Sequence, residues 1–300
     1  RLMPLIDSSN GRSYQEYSLD QLIERAAYMR GLNLVALCSA GSGHSGGTLS
    51  VMDICAALYL KVARHDPRKP HWPDRDRIIW SAGHKAPALY TSLAVCGYFD
   101  EINLATLRML GSPLQGHPHW RDLPGVEISS GSLGQGCSVA VGIALAAKLD
   151  RRDSCTFSIC SDGEQQEGSV WEAAMAAAHH QLDNLVFIID KNGLQIDGPV
   201  SEVMNVEPLG EKYRAFGWNV IELDGHSIAE LVSALGNART NKNRRPTVLI
   251  CRTVKGKGVS FMENEVGWHG KPPNQSQLMI AIEELGLSDT IDVDRMTAYG

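Results

Sequence analysis

Residues Cys155 to Gly198 read CTFSICSDGEQQEGSVWEAAMAAAHHQLDNLVFIIDKNGLQIDG. Thr156 to Cys160 is a short β-prone run. Gly168 to His180 is rich in alanine and carries Trp171, Ala174, Met175 and Ala178 at helical spacing. Leu185 to Ile189 is a continuous apolar run with β-branched residues, the composition of a strand buried on both faces. Strand, helix and strand form a βαβ unit, which closes right-handed with its two strands parallel. Trp218 to Glu222, Ser227 to Arg239 and Thr247 to Cys251 repeat the pattern, with Ser227 as a cap and Glu230 three residues on. The fold class predicted is α/β: a doubly wound, mainly parallel sheet with helices on both faces.

The polar residues of the first unit fall at informative places. Asp162 follows the first strand and Asn192 the second, thirty positions later. Parallel strands end on one edge of a sheet, with neighbours ~5 Å apart. One carboxylate and one amide oxygen can therefore reach a single ion, and the Leu194 carbonyl, curling back after Gly193, can be a third ligand. So few protein oxygens beside a helix N-terminus suit Mg²⁺ or Ca²⁺ whose other ligands are phosphate and water. The helix N-terminus itself attracts a diphosphate. Taken singly, Asp162-Gly163 and Asn192-Gly193 are plain turns; paired at two strand ends, they point to an ion site.

Composition narrows the function classes. Of 300 residues, 43% are hydrophobic, enough for a large core. The net charge is −6, which argues against nucleic acid as a partner. No apolar run approaches the ~20 residues of a membrane span. The N-terminus is polar, shows no secretory signal and reads as a cut or processed end. The seven cysteines include no C-x-x-C and read as reduced core residues of a cytoplasmic protein.

Elsewhere, Ser18 opens a helix with Gln21 three residues on, ending near Ser39. A glycine-rich loop, AGSGHSGGT, then holds His44 before a helical run from Leu49 to Lys61. The Pro-rich loop RHDPRKPHWPDR leaves His65 and His71 solvated. Arg77 to Trp80 reads as a strand leading to His84 at a strand-to-helix junction. Asp100 caps a helix through about Leu110, and His117 and His119 sit in a loop, His119 on the surface. A strand ends in Ser129-Ser130, followed by a glycine-rich turn and a helix to about Leu149. Lys212 to Phe216 is a short helix, and His226 enters the helix after Ser227. Arg252 to Asn274 is long and nearly aperiodic, the mark of a functional or disordered loop; solvent is the expected surrounding of Lys255 and Lys257. Gln275 to Leu285 is the last helix. The boundaries expected are an extension over 1–17, one domain over 18–285 and a loose tail over 286–300.

SDGEQQEG followed by DKNGLQIDG resembles the thiamine-diphosphate signature, in its transketolase version, with Ser161 at the first glycine. SGHSGG, SAGH, GHPH, GSLGQG and WHG resemble further segments of that family, with Ser45 and Ser132 in place of prolines and His119 in place of an acid. The resemblance covers roughly residues 20–285. It implies thiamine diphosphate and Mg²⁺ (or Ca²⁺ or Mn²⁺) as cofactors. Asp162, Asn192 and the Leu194 carbonyl would hold the metal, and Gly163 would let the diphosphate approach. His84 would contact the diphosphate, Gly131 and Leu133 the aminopyrimidine, and Ile196 the thiazolium. Glu167 would couple cofactor sites across a dimer; as a residue alone it is a first-turn acid favouring the helix dipole. His44, His117 and His269 would move protons on sugar hydroxyls, with His269 also near the cofactor.

The resemblance covers one part of a transketolase, since no pyrimidine-binding domain fits in the chain. It implies the N-terminal subunit of a split transketolase, moving a two-carbon ketol unit from a ketose to an aldose, with sugar-phosphate-like substrates. The partner would be a separate C-terminal subunit with the pyrimidine-binding domain, in an α₂β₂ assembly, and an exposed apolar patch would mark the interface. Pentose phosphates, branched-sugar phosphates and sulfosugars stay open as substrates. One part of a 2-oxo-acid dehydrogenase, a 1-deoxyxylulose-5-phosphate-synthase-like enzyme and a non-catalytic cofactor-binding module stay open as alternatives, as does a truncated chain.

Overall fold

The computed structural model describes residues 17–297, so most of the expected N-terminal extension lies outside the described residues. Helix α1 (Leu19–Ala40) starts at Ser18 in the expected capping box with Gln21. Then come α2 (Ser45–Ser50), α3 (Met52–Ala57), strand β1 (Arg77–Trp80), α4 (Ala86–Val95) and α5 (Gln135–Leu149). The deciding unit is β2 (Thr156–Ser161), α6 (Gly168–His179) and β3 (Leu185–Lys191). A minimal hairpin, β4 (Leu194–Gln195) and β5 (Gly198–Pro199), precedes α7 (Val200–Val203) and α8 (Leu209–Ala215). The second unit is β6 (Asn219–Asp224), α9 (Ile228–Thr240) and β7 (Thr247–Arg252), and α10 (Gln275–Glu284) and α11 (Val293–Thr297) close the described chain.

The main sheet has the order β1-β2-β3-β7-β6, with every neighbouring pair parallel. Strand alternation sorts two cores. Phe157, Ile159, Val186, Ile188 and Leu249 pack on one face with residues of α1, α3, α4 and α9. Cys160, Phe187, Ile189, Val248 and Ile250 pack on the other with residues of α5, α6 and α8. Helices thus cover both faces of a parallel sheet, as the apolar strands require.

Several local expectations are corrected. The glycine-rich loop is helical from Ser45, and the helical run expected over Leu49 to Lys61 is broken into α2, α3 and a π turn over Leu58–Val62. Gly46 serves close approach: a Cβ there would lie 2.8 Å from the Lys255 side chain and 3.1 Å from the Trp268 carbonyl. Asp100 caps a 3₁₀ turn over Glu101–Thr106, not a helix to Leu110, because the chain turns back at Arg108, which has φ 62°. No strand forms before Ser129; Glu127 instead receives the Arg75 and Arg77 guanidiniums at 2.8 Å each, so side chains replace the ladder. His65 is buried, its ring nitrogens 3.1 Å from the Tyr98 hydroxyl and 2.8 Å from the Tyr59 carbonyl, while His71 is exposed. The tail is docked: Leu287, Ile291 and Val293 are buried against α1, with Ile291 over Gly31. Among the described residues, no helix is long and apolar enough to cross a membrane.

Candidate active site

Ser161 pairs with Asp190 across β2 and β3, so the two turns that follow leave the sheet side by side. Asp162 is buried and accepts backbone N–H groups from Gly163 at 2.8 Å and from Gly193 at 2.6 Å. Gly193 has φ 76°, a left-handed value that turns the chain and presents the next carbonyl. Asn192 donates its amide nitrogen to Asp190 at 3.1 Å, and its oxygen accepts the Leu194 N–H at 3.2 Å. The Leu194 carbonyl accepts from the Lys255 ammonium at 3.0 Å.

Beneath these turns lies a polar hub that sequence reasoning missed. Strand β3 runs two residues beyond the apolar run and carries Asp190, fully buried. Its carboxylate accepts from Lys85, Thr253, Asn192 and, at 2.6 Å, Ser50. Burial pushes this carboxyl up, but the Lys85 ammonium and the hydrogen bonds outweigh it and leave it below the ordinary value. Lys85 is itself only 1% exposed. The signal available was a lysine and an aspartate set inside apolar runs, each needing a partner once buried. Glu164, also missed, is buried and accepts from the Ser81 hydroxyl, the Gly134 N–H at 2.8 Å and the Ser161 N–H at 3.1 Å. It ties the glycine-rich turn before α5 to the end of β2.

Three of the four glycine-flanked histidines converge. The His44 ring centroid is 5.4 Å from those of both His84 and His269, and His84 stacks on His269 at 5.8 Å. Burial first, then neighbouring cations, keeps all three neutral: His44 is lowered to about 4, His269 to about 3, and His84 well below its ordinary value. The His44 Nδ1 is buried with no hydrogen-bond partner. Lys255 meets His269 Nδ1 at 2.8 Å and is 1% exposed, which corrects its expected solvent position; burial lowers it to about 8. Lys257 points to the surface beside Glu263.

These groups enclose one cavity of about 290 Å³, lined by His44, His84, His269, Asp162, Asn192 and Leu194. Gly131, Leu133, Gly163, Glu167 and Ile196 also line it. His117 stands outside that lining and exposed, with its ring over Gly131, where a Cβ would lie 3.3 Å from it. His119 is a surface residue paired with Asp122 at 3.0 Å. A surface recess of about 430 Å³ between Phe99 and Leu123 is lined by no titratable side chain. The cavity over the strand ends is the one that gathers the three histidines and the Asp162 and Asn192 turns.

The donors there fit a hard cation. Burial and the nearby Asp190 push Asp162 up to about 6, and among the described residues no side-chain cation stands within ion-pair distance of it. The Leu194 carbonyl already attracts the Lys255 ammonium, a stand-in for positive charge. Carboxylate, amide oxygen and backbone carbonyl form an all-oxygen donor set.

Residues 22–295 match the family described as "Transketolase, thiamine diphosphate binding domain". The chain is 42% identical over 264 residues to the 6-deoxy-6-sulfo-D-fructose transketolase subunit SqwG of Clostridium sp. (strain MSTE9), covering 88% of this chain and 96% of that one. It is 43% identical over 246 residues to an apulose-4-phosphate transketolase subunit of Phocaeicola vulgatus, covering 82% of this chain and 87% of that one. The solved transketolase of Campylobacter jejuni superposes with a TM-score of 0.85 at 33% identity, over 93% of this chain. This chain spans only 45% of that enzyme's length. By its sequence match and its superposition, the chain belongs to the transketolase family, as that family's thiamine-diphosphate-binding domain.

Proposed function

We propose that this chain is the diphosphate-binding subunit of a split transketolase, a transferase moving a two-carbon ketol unit from a ketose to an aldose. The observation that carries the reading is the convergence of three neutral imidazoles with an all-oxygen donor set on one cavity. Thiamine diphosphate, when bound, supplies the carbanion chemistry. Asp162, Asn192 and the Leu194 carbonyl hold Mg²⁺, or Ca²⁺ or Mn²⁺ in its place. Gly163 and His84 receive the diphosphate, Gly131 and Leu133 the aminopyrimidine, and Ile196 the thiazolium. His44 and His269, neutral at pH 7, exchange protons with sugar hydroxyls, and His117 does so from the rim. The orphaned His44 Nδ1 supports a role that a substrate completes.

The partner is a separate chain with a pyrimidine-binding domain, in an α₂β₂ assembly. Two relatives carry "subunit" in their names and are spanned nearly end to end, whereas the single-chain transketolase is spanned by less than half. Ile196 and Met204, 64% and 61% exposed, stand beside the site near Gln166 and Gln195 and offer apolar contact to that chain. Glu167 lines the cavity from its exposed edge, where it can couple cofactor sites across the assembly. The relatives' names point to acidic sugars, a sulfosugar or a branched-sugar phosphate, beside the ordinary pentose phosphates. The seven free cysteines, six of them buried, support a reducing cytoplasm.

Ketol transfer should be assayed with thiamine diphosphate and Mg²⁺, using xylulose 5-phosphate or 6-deoxy-6-sulfo-D-fructose as donor and ribose 5-phosphate as acceptor. The chain is tested alone and mixed with the pyrimidine-domain chain encoded beside it. Turnover is expected only in the mixture. Turnover by the chain alone would overturn the two-chain reading, and absence of cofactor binding by the mixture would overturn the whole proposal.

A further inference from the structure

His226 lies outside the cavity, yet it links two helices to the loop that supplies Lys255 and His269. Its Nδ1 is 2.7 Å from Asp53 of α3, and its Nε2 is 2.8 Å from the backbone nitrogen of Val254. Asp53 pairs in turn with Arg30 of α1, whose Nε donates to the Leu49 carbonyl at 3.1 Å. Both ions are only 6% exposed.

The partners fix the state of the imidazole. Val254 can offer only an N–H, so Nε2 must accept and carries no proton. The ring proton therefore sits on Nδ1 and is donated to the Asp53 carboxylate. Burial pushes Asp53 up, but Arg30 and the His226 hydrogen bond outweigh it, so this carboxyl stays below its ordinary value and remains an acceptor.

Val254 sits between two residues that reach the site. Thr253 donates to Asp190, and its N–H bonds the Lys191 carbonyl at 3.1 Å. Lys255 meets the Leu194 carbonyl and His269, and the Gly256 N–H bonds the Gly46 carbonyl at 2.9 Å, next to the His44 turn. A shift of the 253–256 backbone would move all of these contacts together. The Val254 amide is the one backbone donor in this stretch held by a side chain.

We propose that His226 is a positioning residue: seated on Asp53 and Arg30, it fixes the Val254 amide and so holds Lys255 and His269 in register with the Asp162–Asn192 turns. This rests on the proposed function for what the site binds. Neither His226 nor Val254 lines the cavity itself.

Two variants separate its two hydrogen bonds. In H226N the shorter amide still reaches Asp53 but not Val254. In H226Q one longer amide offers a donor to Asp53 and an acceptor to Val254. Hydrogen exchange of the 253–258 peptide is measured on the full chain without cofactor, and binding of thiamine diphosphate with Mg²⁺ to the chain mixed with its pyrimidine-domain partner is followed by tryptophan fluorescence. H226N should speed exchange there and weaken binding about tenfold, the scale of a lost supporting contact, and H226Q should restore both. Wild-type exchange in H226N, or equal losses in both variants, would overturn the proposal. If the wild-type chain mixed with its pyrimidine-domain partner binds no thiamine diphosphate, the functional reading fails, and the exchange measurement still decides the role of His226.

Discussion

The turns at Asp162 and Asn192 and the loop from Thr253 to His269 face each other across one cavity, but they are held by different means. The turns are set by neighbours in sequence: Asp162 caps Gly163, Gly193 takes a left-handed conformation, and adjacent parallel strands deliver both to one edge. The loop has local turns of its own, with Gly256 and Gly258 at left-handed φ of 78° and 91°, but these do not fix where it docks. Its position comes from contacts with Gly46, Leu194, His226 and Asp190, all distant in sequence. A site half built from local turns and half from long-range contacts should respond differently when each half is disturbed.

The largest effect is expected at the hub that both halves share. Lys85→Met leaves Asp190 charged and buried without its cation, and unfolding in urea should show a loss of about 3–5 kcal/mol. A change below about 1 kcal/mol would mean that Ser50, Thr253 and Asn192 suffice to hold the carboxylate. Next, Asp162→Ala breaks the local half. Calorimetric titration with thiamine diphosphate and Mg²⁺ should show affinity reduced by at least about 100-fold, and Asn192→Ala should do the same. Unchanged affinity would sink the metal assignment.

Acid should disturb the histidines. His44 titrates at about 4 in the folded chain, below the ~6.5 of an unfolded histidine. The folded state binds fewer protons there, so this stabilisation is complete above pH ~6.5 and is lost as pH falls toward 4. His269 and His84, also lowered, act with the same sign. Asp162 and Glu164, raised by burial, act with the opposite sign. Urea unfolding of His44→Asn against the natural chain, at pH 7.5 and pH 5, isolates the one group: the variant should lose less stability on acidification. Equal losses would show that His44 is not held neutral by its surroundings. The smallest effect is expected on the outer part of the loop. Lys257→Ala removes an exposed pair with Glu263 and should change stability by less than about 0.5 kcal/mol. A larger loss would show that the outer loop, too, is structurally tied down.

The same contrast separates what is legible in the sequence from what is not. The βαβ pattern, the α1 capping box and the paired turns are legible because each depends on spacing within a few residues or on strand alternation. The glycine-rich helix α2 reads as loop because Gly46 answers to Lys255 and Trp268, and Gly47 to Lys85, all distant in sequence. His65 sits in a charged, proline-rich run, and only Tyr59 and Tyr98 closing around it decide that it is buried. The tail reads as loose because its few apolar residues stand among acids, and their fit against Gly31 has no local signature.

By itself, the sequence determined the parallel α/β architecture and the strand edge at which the Asp162 and Asn192 turns meet, since periodicity and turn chemistry are short-range physics. Only the tertiary structure decided which charges are buried together, as with Lys85 on Asp190 and Lys255 on the Leu194 carbonyl. It alone also separated the three histidines that meet from the one at the rim. Those outcomes depend on which loops the packed sheet brings within a few ångströms, and a buried charge finds its partner by distance in space rather than by position along the chain.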